Sequence, residues 1–288
     1  MGRYVRAALW VVVAVQTLMA LGFVFQVVAV TGLWPFPGAT PLTNIFIGSI
    51  FGAAAASTAW CLAMRSDRGL AGIALDYLAI LVPFSVFSFV DAAGSGADGA
   101  SAHVAVFGVT CVAGAFVGLA LLRWSLGFNW RDPRPTPSLV RGSFAFFIDA
   151  LVIVAGLLIA RVPDILPWPV TPELSILIGI MFLGAAAYFA YGVVDPRWEN
   201  AGGQLAGFLA YDVVLIVPFL TRLPTIDDHL RINLAVYTAV VAFSGVLAIW
   251  YLALDTRTRG RAPAMDGAGL SPARATAAAP PTVLPPAG

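Results

Sequence analysis

Eight stretches of this chain, near residues 7–30, 43–64, 69–90, 103–123, 143–160, 174–194, 203–221 and 232–254, are almost unbroken apolar sequence. A bilayer core is about 30 Å thick and takes roughly 20 helical residues to cross, which each run supplies. Lipid cannot hydrogen-bond an exposed backbone, so runs of this kind are viable there only as helices. Charge points the same way. Only 11% of the 288 residues are charged and mean hydropathy is +0.89, whereas soluble domains carry about 25% charged residues. The expected fold class is therefore an all-α membrane protein with eight transmembrane helices. A net charge of +1 argues against a nucleic-acid partner, which would want a strongly basic face. The bilayer is the expected partner.

The segment Met1 to Arg6 followed by the apolar run Ala7 to Val30 outlines a signal sequence, but its core exceeds the ~7–15 residues of such a region. It reads as a retained first span. Arginine placement then sets the topology. With the N-terminus inside, Arg3, Arg6, Arg65, Arg68, Arg123, Arg131, Arg134, Arg141, Arg197, Arg257, Arg259, Arg261 and Arg274 fall on the cytoplasmic side. Arg161, Arg222 and Arg231 fall outside. This is the positive-inside pattern, with both termini cytoplasmic. Every basic residue is Arg and none is Lys, a codon signature of a GC-rich bacterium, so the expected location is a bacterial inner membrane.

The sequence repeats itself. Leu70-Ala71-Gly72 and Val82-Pro83-Phe84 match Leu205-Ala206-Gly207 and Val217-Pro218-Phe219 at the same separation. Trp34-Pro35 corresponds to Trp168-Pro169, Ile47-Gly48 to Ile178-Gly179, and Ala115-Phe116-Val117-Gly118 to Ala242-Phe243-Ser244-Gly245. Matches in one order indicate two tandem four-helix repeats. Each repeat has an even number of spans, so the copies are parallel. The expected division is residues 1–130 for the first repeat, 131–141 for a basic cytoplasmic linker, 142–256 for the second repeat, and 257–288 for a disordered Ala/Pro-rich tail.

The connections carry further expectations. Trp34-Pro35-Phe36-Pro37 and Pro167-Trp168-Pro169 read as rigid turns with indoles at headgroup depth. Asp91 to Ser101 reads as a flexible exterior loop. Gly48-x-x-x-Gly52, Gly114-x-x-x-Gly118 and Gly184 with Ala185 to Ala187 mark intramolecular packing seams. Cys61 and Cys111, alone in apolar runs, read as packing residues.

Candidate chemistry is sparse. Asp76, Asp149 and Asp212 each lie about two turns from the cytoplasmic end of a span. An ionised Asp at helix centre costs roughly 2.5–3.5 kcal/mol, and such residues usually face a cavity or a partner. They are the candidates for a ligand or proton site, with Tyr77 and Tyr211 beside two of them. Pro83 and Pro218 interrupt repeat-equivalent helices and are candidate hinges. His103 and His229 are weak candidates for an outer metal site. The sequence has no Walker loop, no His-Glu-x-x-His and no Gly-x-Ser-x-Gly, so neither an enzyme nor a cofactor is expected. The first functional expectation is a transporter or permease, with an ionisable site for a small solute or proton between the repeats. The alternative is a non-enzymatic scaffold or accessory subunit that engages a partner or anionic lipid through its basic linker and tail.

Overall fold

The computed structural model describes residues 2–94, 99–132 and 134–259. The chain is helical almost throughout. In order come α1 (Arg3–Val24), a single turn α2 (Val28–Thr31), α3 (Pro41–Met64), α4 (Leu70–Gly94) and α5 (Gly99–Leu126). After a linker follow α6 (Ser138–Ile159), α7 (Pro172–Val194), α8 (Trp198–Arg222) and α9 (Asp228–Ile249), which runs on as a π-helical turn, Trp250–Leu254. Eight of these helices are long and apolar enough to cross a membrane. The fold is that of a multi-pass membrane protein in contact with lipid. Most of the expected tail, with Arg261 and Arg274, lies outside the described residues.

Three boundaries differ from the hydropathy reading, each for a local reason. Apolar sequence continues to Val30, yet α1 stops at Val24. Gln26 takes a left-handed backbone (φ 54°), its N–H donates to the Phe23 carbonyl, and that of Val27 reaches back to Gly22. This closure satisfies the last carbonyls and turns the chain. Helix also occupies Asp91–Gly94 and Gly99–Ser101, shortening the expected exterior loop from both sides, because its alanines favour helix. Finally, α8 begins at Trp198 rather than 203, and its first turns are polar yet buried.

Sequence neighbours pair as hairpins: α1 on α3, α4 on α5, α6 on α7 and α8 on α9. The hairpins interlock through α3 against α8 and α4 against α7, while α3 touches α4, and α7 touches α8, only sparingly. The core therefore lies where α3, α4, α7 and α8 meet. Glycines permit the closest approaches. A methyl built on Gly48 would stand 2.9 Å from the Ala20 carbonyl oxygen, and one on Gly179 would stand 2.9 Å from that of Ala155. Gly184 faces α4 and Gly114 faces Leu81, so these seams are internal to the chain. Gly52 meets only the Ala20 methyl at 3.9 Å and is not a tight contact.

The two indoles of the Pro-rich turns lie inside the bundle instead of facing outward. Trp34 and Trp168 are 9% and 2% exposed. Trp34 packs edge-on against Phe23, Phe36, Phe84 and Phe107, and Trp168 packs on Phe46 and Phe219. Proline-rich turns fold both rings inward, where aromatic contact outweighs the interfacial preference of an indole.

Candidate functional site

Asp76 lies on α4 at its crossing with α7. A Cβ on Gly184 would stand 2.6 Å from Asp76 Oδ1, so the glycine leaves the space that the carboxyl occupies. Asp76 is half-buried, and no described residue hydrogen-bonds to it. One turn toward the helix start, Gly72 accepts the ring of Tyr188 from α7, where a Cβ built on the glycine would stand 2.6 Å from Cε2. The Tyr188 hydroxyl is buried without a partner among the described residues.

Other polar groups continue from this point along the central crossings. Gln204 Nε2 donates to the Tyr188 carbonyl (2.7 Å), and Ser57 Oγ donates to the Gly203 carbonyl (2.9 Å). Gln16 Nε2 donates to the Tyr77 hydroxyl, joining α1 to α4. Gln16 Oε1 and Gln204 Oε1 are buried without described partners. A seam of half-satisfied polar groups thus runs through lipid-embedded helices, where an unmet group is costly.

Asp212, Asp149 and Tyr211 make no hydrogen bond or ion pair with Asp76, and Pro83 lies two turns along the same helix. Asp212 faces α9 and is 3% exposed. Its Oδ1 lies 2.9 Å from Ser244 Oγ, which is also 2.9 Å from the Val240 carbonyl. One hydroxyl proton cannot serve both acceptors. An amide at 212 would donate to Ser244 and free that proton for Val240. Asp212→Asn is therefore expected to change stability by no more than about 1 kcal/mol, read as the thermal midpoint in detergent; a larger loss would contradict this account. Asp149 is exposed on the outer face of α6. Tyr211 sets its ring against Phe46 of α3 at 6.1 Å. Pro83 and Pro218 both lie inside continuous helices. His103 and His229 are exposed, and no group of three metal-ligating side chains occurs among the described residues.

Sequence reasoning passed over a second polar region at one end of the bundle. Glu199, in the first turn of α8, is 4% exposed. Its Oε2 accepts the backbone N–H groups of Arg131 (2.6 Å) and Asp132 (2.8 Å). The linker then pairs with the α7–α8 turn: Thr136 N–H donates to Pro196, and Trp198 N–H donates to Arg134. Trp130 Nε1 donates to Asp195 (2.8 Å), while Arg131 pairs with the buried Asp67 at 3.3 Å. Ser66 Oγ completes the clasp by donating to the Glu199 carbonyl. The signal was the polar run Trp198-Glu199-Asn200-Ala201-Gly202-Gly203-Gln204, which lowers hydropathy enough to look like a loop. No protein-family model, curated protein or solved structure matches this chain.

Proposed function

We propose that this chain is a permease-type transport protein of a bacterial inner membrane, with Asp76 as its proton-binding group at the contact between two tandem repeats. The observation that carries the reading is a carboxyl with no described hydrogen-bond partner at the crossing of α4 and α7, one helix from each half. A desolvated metal cation needs several oxygen ligands, whereas a proton needs one acceptor. Pro83 lies seven residues on and removes the N–H that would bond Ala79, which makes α4 the hinge beside the site; Pro218 is the counterpart on α8.

Matched local geometry supports the two repeats. The bonds that end α1, from Phe25, Gln26 and Val27 to Leu21, Phe23 and Gly22, recur at the end of α6 from Ala160, Arg161 and Val162 to Gly156, Leu158 and Leu157. Gly48 and Gly179 meet equivalent carbonyls, and Phe84 and Phe219 each sit beneath a buried indole. The cross-packing of α3 on α8 mirrors that of α7 on α4. By the arginine bias, the clasped end faces the cytoplasm. The linker's backbone N–H groups and the Trp130 indole turn inward onto Glu199 and Asp195, which weighs against its docking a protein partner and so favours transport over the accessory-subunit reading.

The test is proton flux into proteoliposomes under an imposed potential, followed with an internal pH dye. Wild-type protein and Asp212→Asn are expected to carry flux, and Asp76→Asn to fall to the protein-free baseline. Wild-type flux at that baseline, or full flux through Asp76→Asn, would refute the proposal.

A further inference from the structure

Three arginines from separate segments line one cavity at the clasped end of the bundle. Arg6 lies near the start of α1, Arg65 caps the end of α3, and Arg131 belongs to the linker. With Asp67 they enclose about 240 Å³. Three guanidinium groups therefore face a single carboxylate. Arg6 Nη2 is steadied by the Leu62 carbonyl (2.7 Å), and Arg131 by Asp67 (3.3 Å). Arg65 differs from both: it is exposed, its backbone is left-handed (φ 58°), and its guanidinium has no partner among the described residues.

The neighbouring acids do not neutralise this surplus. Glu199 does not line the cavity and turns its Oε2 to the amides of Arg131 and Asp132, and Asp132 is paired with Arg134. The cavity is thus net cationic, with free N–H donors arriving from three directions. A tetrahedral oxyanion accepts from several directions at once, and guanidinium forks match its oxygens.

We propose that Arg6, Arg65 and Arg131 bind a phosphate group, carried either by an anionic lipid headgroup at the membrane surface or by free phosphate. The site is independent of Asp76 and of the transport reading.

The experiment uses the full chain in nanodiscs of phosphatidylcholine, and compares Arg65→Asn with Arg141→Asn. Asn tolerates the left-handed backbone, so the first change removes the charge without straining α3. Arg141 is exposed on α6 and controls for general attraction of arginine to anionic lipid. Thermal midpoints are read against rising mole fractions of phosphatidylglycerol and, separately, against inorganic phosphate with chloride at matched ionic strength. The expected result is a saturable rise for wild type and Arg141→Asn, with about five- to tenfold more ligand needed by Arg65→Asn. A rise with phosphatidylglycerol alone assigns the site to a headgroup, and a rise with inorganic phosphate assigns it to the free anion. No saturable rise with either probe, or equal responses from the two variants, would overturn the proposal.

Discussion

Glu199→Ala is expected to make the linker a trypsin substrate, with cleavage after Arg131 accelerated about a hundredfold in detergent-solubilised protein. The peptide bond that trypsin would cut is the one whose N–H, on Asp132, donates to Glu199 Oε2 at 2.8 Å, alongside the Arg131 N–H at 2.6 Å. Hydrogen bonds to a charged partner contribute roughly 1.5–3 kcal/mol each. Losing both therefore raises the population of the open linker by something on the order of 3 kcal/mol, or about two decades. Glu199→Gln keeps one carbonyl acceptor and is expected to fall between the two. Arg161 is exposed past the far end of α6 and supplies an internal reference, since it makes no contact with the linker. If the Arg131 site is cut no faster in Glu199→Ala than in wild type, relative to Arg161, the carboxylate does not hold the linker.

The second large effect is expected at the paired glycines. Gly48→Val and Gly179→Val should each destabilise the bundle by about 3 kcal/mol. The obstruction in each case is backbone: the Ala20 carbonyl at 2.9 Å from the added carbon, and the Ala155 carbonyl at the same distance. A flexible side chain could swing aside, but a helix backbone moves only by separating α1 from α3 or α6 from α7. Gly142→Ala and Gly156→Ala are the contrasting changes, because an added methyl at either meets nothing within 4 Å. Removing glycine from a helix interior there is expected to gain roughly 0.5–1 kcal/mol. Unfolding midpoints in SDS would compare all four. Equal midpoints for Gly179→Val and Gly156→Ala would show that the close approach contributes nothing.

The spans were legible because the bilayer requires each to be long, continuous and apolar, and a sum over residues captures that. What a sum cannot capture is direction. Helix α6 is apolar around most of its circumference, so its sequence gives no face to separate the inward Phe144 and Phe147 from the outward Asp149. Asp76 and Asp212 look alike in sequence, yet one meets a glycine of α7 and the other a serine of α9. Their difference comes from cross-packing between distant helices, which local pattern does not encode. Glu199 was hidden for the opposite reason. Its polar neighbours resemble a loop until the linker folds over them and supplies the partners that make their burial tolerable.

The interlocked helix order also bears on how the protein is made. When the first four spans have entered the membrane, α1–α3 and α4–α5 exist as two hairpins with few contacts between them. The surfaces of α3 and α4 carrying Ser57, Gly72 and Asp76 must wait for α7 and α8, more than a hundred residues later in synthesis. Until then those polar positions face lipid or an insertion factor. Completion of the bundle is thus a late, concerted closure, and a ribosome stalled after α6 would leave a chain whose central seam is still open to capture by quality control.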